Sequence, residues 1–106
     1  TPKVQITENI IKFGPVKHNA PQQQRTFTLT NTGDGELIVR AVETGGKVAT
    51  TLMPGQRIPA GSSFTAKATL DPGRQEYGVV TDFVTIITND PTRPMRRLRA
   101  TAIVED

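Results

Sequence analysis

The only histidine of the chain, His18, is the side chain best suited to act as a general base near neutral pH. A hydrolytic site would pair it with a hydroxyl nucleophile such as Ser62 or Ser63 and with an orienting acid such as Asp71. His18 stands in a polar loop sequence before a predicted strand, and neither serine has the glycine pattern of a nucleophile elbow. The simpler interpretation is a solvated loop histidine, and the sequence predicts no catalytic residue.

A pair of carboxylates is the other arrangement that could support hydrolysis, in this case of glycosides. The acids available for such a pair are Asp34, Glu36, Glu43, Asp71, Glu76 and Asp82. A general acid of this kind needs an apolar or aromatic cleft, and the chain has no tryptophan and one tyrosine. The same shortage argues against a carbohydrate platform. We therefore expect a non-enzymatic protein.

Metal and cofactor sites are not predicted either. The chain has no cysteine and one histidine, which leaves out thiolate sites and most histidine-based sites. The acidic turns at 34–36 and 89–90 do not have the fixed ligand spacing of a calcium loop. Turns capped by acids are the simpler interpretation.

Arginines are concentrated near the C-terminus, at Arg93, Arg96, Arg97 and Arg99. Alternation in an extended strand places Arg97 and Arg99 on one outward face, with Arg93 and Arg96 in or beside the preceding turn. Arginine binds carboxylates and phosphates, so this group is a candidate partner-binding site. Like charges repel, and acids that we expect to offset them are Glu76, Asp82, Glu105 and Asp106.

Two interpretations of these arginines remain open. Charged residues on an outer strand can simply protect a sheet from edge pairing, or they can contact an anionic partner. Nucleic-acid modules built on sheets usually add exposed aromatic residues, and none is interleaved here, which argues against nucleic acid.

Length and composition indicate one globular domain over residues 1–106. The 106 residues are 35% hydrophobic and 22% charged, with a formal net charge of +3. No apolar run approaches the roughly 20 residues of a membrane span, and no signal peptide opens the chain. We expect a monomer or one unit of a multidomain chain, with frayed segments at 1–8 and 105–106.

Period-2 alternation predicts the elements that would position these residues. Seven strands are expected, at 4–13 with a break near Asn9, 25–31, 36–43, 48–52, 63–70, 80–89 and 95–104, the last two antiparallel. Gly14 and Pro15 are expected to end the first run. The fold class is all-β: a seven- to eight-stranded immunoglobulin-like sandwich of two antiparallel or mixed sheets.

The alternation also predicts which side chains form the core between the sheets, namely Phe13, Phe27, Leu29, Phe64, Leu70, Val84, Ile86 and Leu98. Phe83 and Ile87 point to the opposite face of their strand. We expect the segment 44–61 or Tyr77 to cover that face; left uncovered, Phe83 and Ile87 become candidate partner-binding residues.

The order of short motifs carries a family resemblance. Phe13-Gly14-Pro15-Val16 precedes Phe27-Thr28-Leu29-Thr30-Asn31, and Ile58-Pro59-Ala60-Gly61, Thr88-Asn89-Asp90-Pro91 and Leu98-Arg99-Ala100 follow. Over residues 11–104 the chain resembles Hydin-like (ASH) immunoglobulin-type domains. It is similar in particular to their bacterial relatives of unknown function in exported Bacteroidetes-type proteins.

That resemblance implies an architecture related to major sperm protein and pilus-chaperone domains. It further implies a non-catalytic protein-interaction or structural module of a larger exported bacterial protein, periplasmic or on the cell surface. The alternative function is an anionic-polymer or nucleic-acid binder that uses the arginine group. Many bacterial relatives carry a Cys-Gly-Cys loop where this chain has Thr44-Gly45-Gly46-Lys47, so no thiol chemistry carries over.

Overall fold

The protein is described by a computed structural model that covers residues 1–106. Nine strands make up the fold: β1 (Val4–Ile6), β2 (Ile10–Lys17), β3 (Gln23–Asn31), β4 (Leu37–Thr44), β5 (Val48–Thr50), β6 (Arg57–Ile58), β7 (Ser63–Leu70), β8 (Gly78–Thr88) and β9 (Met95–Glu105). A single turn of 3-10 helix, Pro72–Arg74, joins β7 to β8. The predicted all-β class is confirmed, with more strands than expected.

The strands form two sheets. One has four strands in the order β1-β3-β7-β5, all antiparallel, and the other has five in the order β2-β9-β8-β4-β6. In the five-stranded sheet β2 runs parallel to β9, and the remaining pairs, β8 with β9 included, are antiparallel. The sandwich therefore contains one antiparallel and one mixed sheet.

The first predicted strand is wrong as a single element. Its two halves are β1 and β2, which belong to different sheets and are separated by Thr7–Asn9. β1 is not frayed, since Val4 and Ile6 are buried. β2 also continues through Gly14 and Pro15: Gly14 has a φ of +72° at a register shift, and a proline is tolerated because β2 is an edge strand.

Between the sheets lies one cluster of 22 buried apolar residues. Of the eight predicted core residues, seven are buried: Phe13, Phe27, Leu29, Leu70, Val84, Ile86 and Leu98. Phe64 is only half-buried and packs against the margin of the cluster, because it lies at the start of β7. The chain has no helix that is long and apolar enough to cross a membrane.

Candidate interaction site

The C-terminal arginines do not form one group. Arg97 and Arg99 are exposed on the side of β9 that faces away from the core, and Arg93 is exposed in the turn before it. Arg96 alternates to the opposite side with Leu98 and is only 8% exposed. The expectation that Arg96 belongs to the surface group is wrong, because strand alternation extends back through it.

Arg96 instead lies at one end of the core. Its Nη2 donates a hydrogen bond to the carbonyl oxygen of Ile6 at 3.4 Å. Burial, with a smaller contribution from the like charge of Arg93, lowers the pKa of Arg96, and Asp90 opposes this shift. Arg96 thus links the strand β9 to β1 rather than presenting its charge to solvent.

Phe83 and Ile87 do lie on the outer side of β8, as predicted, and both are half-buried. The guanidinium carbon of Arg97 lies 3.9 Å from the centroid of the Phe83 ring, a cation–π contact across neighbouring strands. Tyr77, expected as a cover, stacks on His18 instead, with ring centroids 4.6 Å apart. Two candidate residues that the sequence treated separately therefore form one contact.

We use the term outer face for the side chains of β2, β9, β8 and β4 that point away from the core. At the positions paired in register, it carries four basic residues, Lys12, Lys17, Arg97 and Arg99, and two acids, Glu43 and Glu105. The outer face therefore has an excess of positive charge.

The expected offset by acids is wrong. The ion pairs of the chain join Thr1 to Asp34, Arg57 to Glu36 and Arg74 to Asp71, and none includes Arg93, Arg97 or Arg99. Lys17 donates to the main-chain oxygen of Asp106, not to its side-chain carboxylate. The surface arginines are therefore available to an external anionic group.

Exposed apolar side chains lie on the same outer face as these arginines. Ile10 and Arg99 are paired in register, as are Met95 with Ile87 and Ile103 with Val79. Ile10, Ile103, Met95 and Val79 are 46%, 47%, 58% and 77% exposed. The sequence reasoning overlooked these four residues, although strand alternation places them on the outer face.

The catalytic alternative fails on geometry. Ser63 begins β7 and Asp71 follows its end, so a strand rise of about 3.3 Å per residue puts them about 25 Å apart. Ser63 is bound to Thr30 through a hydroxyl contact of 2.8 Å. The Nε2 of His18 lies 3.1 Å from the carbonyl oxygen of Gln75, in a turn next to Tyr77. These residues form no nucleophile–base pair.

Asp82, one of the acids considered for catalysis, has a structural position. Asp82 is only 6% exposed. Its carboxylate accepts the backbone N–H groups of Gly45, Lys47, Val48 and Phe83 at 2.7–3.0 Å. It thereby fixes the loop by which the chain leaves the five-stranded sheet for the other sheet. The alternation of β8 already places Asp82 inward with Val84, which is the signal that could have predicted this.

The side chains of Asn31 and Asp90 bind their own turns, whereas that of Asn89 binds β4. Asn31 accepts from the N–H of Gly33 at 3.1 Å, and Asn89 accepts from Ile38 at 2.8 Å. Asp90 is 2% exposed and accepts backbone N–H groups from Val4, Thr92 and Arg93. Burial by itself would raise the pKa of Asp90, but these hydrogen bonds outweigh it, so the pKa is lowered.

A groove of about 800 Å³ lies on one flank of the sandwich. Its lining residues come mainly from the loop 45–47, β5, the segment 71–77 and the start of β8. No group of three or more histidine, cysteine, aspartate or glutamate side chains is placed to hold a metal ion.

Residues 4–104 match the family described as "Protein of unknown function (DUF1573)". A search of curated proteins found no match to this sequence. The comparison with solved structures, in contrast, found many similar chains.

A protein of unknown function from Porphyromonas gingivalis W83 is similar to this chain, with a TM-score of 0.85 and 20% identity over 96% of the chain. This chain spans only 46% of the length of that protein. The ASH/PapD-like domain 7 of human CEP192 has a TM-score of 0.73 and 15% identity, with 98% of this chain and 86% of that one covered. These likenesses confirm the immunoglobulin-like fold and, at the level of fold, the resemblance to ASH domains.

The periplasmic chaperone SfaE is also similar, with a TM-score of 0.69 and 12% identity. The match covers 98% of this chain and 58% of the chaperone. Like the others, this likeness is one of fold.

Proposed function

Since the chain belongs to the DUF1573 family, whose description assigns no function, we propose from the site itself that it is a non-catalytic protein-interaction module. We further propose that it serves within a larger exported bacterial protein, in the periplasm or on the cell surface. The partner is a protein whose contact surface carries acidic and apolar groups, and it docks on the outer face.

The observation that carries this proposal is the pairing of Arg97 with Phe83 beside exposed, unpaired Arg99. Arg97 covers the aromatic ring and is itself exposed, so its guanidinium N–H groups remain available to a carboxylate. Exposed Met95 and Ile10 border the two arginines. A surface that mixes arginine with apolar side chains is typical of protein–protein contact regions.

The same contact argues against the anionic-polymer alternative. Single-stranded nucleic acid is bound on sheets by exposed aromatic rings on which the bases stack. Arg97 occupies the outer side of the Phe83 ring, and the exposed Tyr77 stacks on His18. No free aromatic surface adjoins Arg99.

The structurally similar proteins support the proposals that the protein is exported and that it is part of a longer protein. The Porphyromonas protein is about twice as long as this chain, and SfaE is described as a periplasmic chaperone. Other domains of similar fold occur as parts of longer proteins, including a xyloglucanase from Bacteroides ovatus of which the matched region covers 19%.

A site-specific photo-crosslinking experiment in cells that produce the protein tests the docking face. A benzoylphenylalanine residue at position 103 on the outer face is compared with one at exposed Thr65, on the outside of the other sheet. We expect protein adducts from position 103 that are reduced at least threefold by the double substitution Arg97→Gln and Arg99→Gln. Equal adducts from both positions would disprove the proposed face.

Retention on heparin and on DNA at two salt concentrations tests the alternative. The variant with Arg97→Gln and Arg99→Gln is compared with a matched control, Arg57→Gln and Arg74→Gln, whose arginines are already paired with acids. We expect weak, similar retention for the wild type and both variants. Strong retention that is lost only in the Arg97/Arg99 variant, with a shallower salt dependence of the remainder, would favour the anionic-polymer function.

A further inference from the structure

The strand β8 has an unpaired edge at its beginning. β4 ends at Thr44, opposite Val84, whereas β8 continues to Gly78. The chain leaves β8 at this point because the Asp82 carboxylate draws Gly45, Lys47 and Val48 towards β5. The edge of β8 from Gly78 to Asp82 therefore has no neighbouring strand on the β4 side.

The backbone direction along β8 shows which groups this edge presents. The N–H of Thr88 donates to Pro94, on the β9 side, and that of Asn89 donates to Ile38, on the β4 side. Successive residues of a strand point their backbone groups to opposite sides, and the register of β8 with β9 is continuous. The N–H and C=O groups of Val79 and Thr81 therefore point to the open side.

No turn, loop or side-chain group bonds to the backbone of Val79 or Thr81. The third group of this series, the N–H of Phe83, is taken by the Asp82 carboxylate at 2.7 Å. The edge thus offers two donors and two acceptors, and Asp82 marks where it ends. An unpaired edge of this kind is a template for another strand.

The groove described above lies beside this edge and gives an added strand room. Its far wall is β5, whose Val48 and Ala49 line it, and Val80 and Val79 line the near wall. Val79 is 77% exposed and is paired on its other side with Ile103, itself 47% exposed. An apolar residue placed opposite Val79 would extend this exposed row by one strand.

The charges of the groove indicate what kind of segment fits. Lys47 and Arg74 are its basic residues and Asp71 and Glu76 its acids, so the lining carries no net formal charge. Only five of the fourteen lining residues are hydrophobic, so the groove is mostly polar but without net charge. Such a lining favours an uncharged segment, and an apolar residue of that segment would cover exposed Val79. This differs from the outer face, where the charge excess is positive.

We propose that the edge Val79–Thr81 binds an uncharged, partly apolar extended segment of a partner protein by strand addition, with an apolar residue opposite Val79. The segment pairs its backbone with the N–H and C=O groups of Val79 and Thr81 and lies in the groove next to β5. This site is separate from the arginines of the outer face, and it goes beyond the function proposed above.

Amide hydrogen exchange, followed by NMR on the full chain, tests the proposal. The probe is a capped seven-residue peptide of alternating valine and threonine. In the free protein we expect the amides of Val79 and Thr81 to exchange at least tenfold faster than those of Val80 and Asp82, which face β9. Saturating peptide should slow exchange at Val79 and Thr81 by at least tenfold and leave Val80 unchanged.

Matched controls separate strand addition from other binding. A peptide with its central valine N-methylated lacks one backbone donor and should bind at least tenfold more weakly. The variant Val79→Pro, which removes the outward N–H, should lose the effect. The variant with Arg97→Gln and Arg99→Gln should retain it, so this test is independent of the outer-face proposal. If the Val79→Pro variant does not fold, the N-methylated peptide still tests whether binding depends on backbone pairing.

Three results would overturn the proposal. Slow exchange at Val79 and Thr81 in the dilute free protein would mean that the edge is already covered. Absence of protection at about 1 mM peptide would mean that the edge does not accept an apolar strand. Protection that rises with protein concentration without peptide would identify the occupant as a second copy of the chain.

Discussion

The carboxylate of Asp82, in the five-stranded sheet, accepts the N–H of Val48, 3.0 Å away in the four-stranded sheet. One buried side chain therefore joins the two layers at the point where the chain crosses between them. The same carboxylate holds Gly45 and Lys47, so the crossing loop is fixed by an acid rather than by apolar packing. Both the open edge of β8 and the groove beside it depend on this anchor.

Replacing Asp82 with alanine should destabilise the protein by about 2–4 kcal/mol. The substitution removes the acceptor for four backbone N–H groups, and the N–H of Val48 is left buried without a partner. Chemical denaturation measures the change in the free energy of unfolding. Asp71→Ala is the control, since Asp71 is half-exposed and accepts the backbone N–H of Gly73. Equal losses for both variants would contradict the anchoring role.

Gly45 should resist substitution for a reason that involves Asp82. A Cβ at Gly45 would overlap the Asp82 carboxylate, whereas Gly46 has open space but a φ of +93°. We expect Gly45→Ala and Gly46→Ala each to cost about 1–3 kcal/mol. In an Asp82→Ala background the Gly45 penalty should fall by at least half, while the Gly46 penalty persists. A Gly45 penalty independent of Asp82 would contradict the overlap.

The sequence predicted the strands and the inward residues well because both follow from period-2 alternation, a local property. It failed where a partner strand decides the outcome. Pro15 lies inside β2 because that strand has a neighbour on one side only, and the run 4–13 divides because β1 and β2 join different sheets. The local pattern of residues does not predict which strand pairs with β1 or with β2.

The candidate site was predicted in part for the same reason. The outward direction of Arg97, Arg99 and Phe83 follows from alternation, but the contact between Arg97 and Phe83 requires the register of β8 with β9. Arg96 was placed in or beside the turn although the predicted strand 95–104 already included it, and the alternation of β9 turns its side chain inward with Leu98.

Alanine substitution of a core phenylalanine should destabilise the protein much more than the same change at the margin of the core. Phe27 has no exposed surface, so Phe27→Ala should cost about 3–5 kcal/mol through the cavity that it leaves. Phe64 is half-buried and its surroundings can be filled by water, so Phe64→Ala should cost less than half as much. Denaturant titrations measure both losses, as shifts of the unfolding midpoint with an unchanged dependence of the unfolding free energy on denaturant concentration. Equal penalties would mean that Phe64 belongs fully to the core.

The contact between Arg97 and Phe83 should appear as a small coupling energy. At an exposed site a cation–π contact contributes about 0.5–1 kcal/mol. A double-mutant cycle with Arg97→Gln and Phe83→Leu isolates it from the separate effects of each change. The matched cycle with Arg99→Gln, whose residue is the direct register partner of Phe83, should give a smaller coupling. A larger coupling to Arg99 would contradict the observed geometry.

Asp90 should make the stability of the protein sensitive to acid. Its pKa is lowered in the folded state, because the hydrogen bonds from Val4, Thr92 and Arg93 outweigh burial. The resulting stabilisation is therefore complete above the unfolded-state pKa of about 4 and is lost as the pH falls through the lower folded-state pKa. We expect Asp90→Asn to reduce the free energy of unfolding by about 1–3 kcal/mol at pH 6, with a difference from the wild type that shrinks steadily below about pH 4.

The control Asp71→Asn, in a half-exposed turn, should leave the acid limb of the wild-type curve in place. A wild-type minus Asp90→Asn difference that stays constant down to about pH 2 would show that the charge of Asp90 does not contribute.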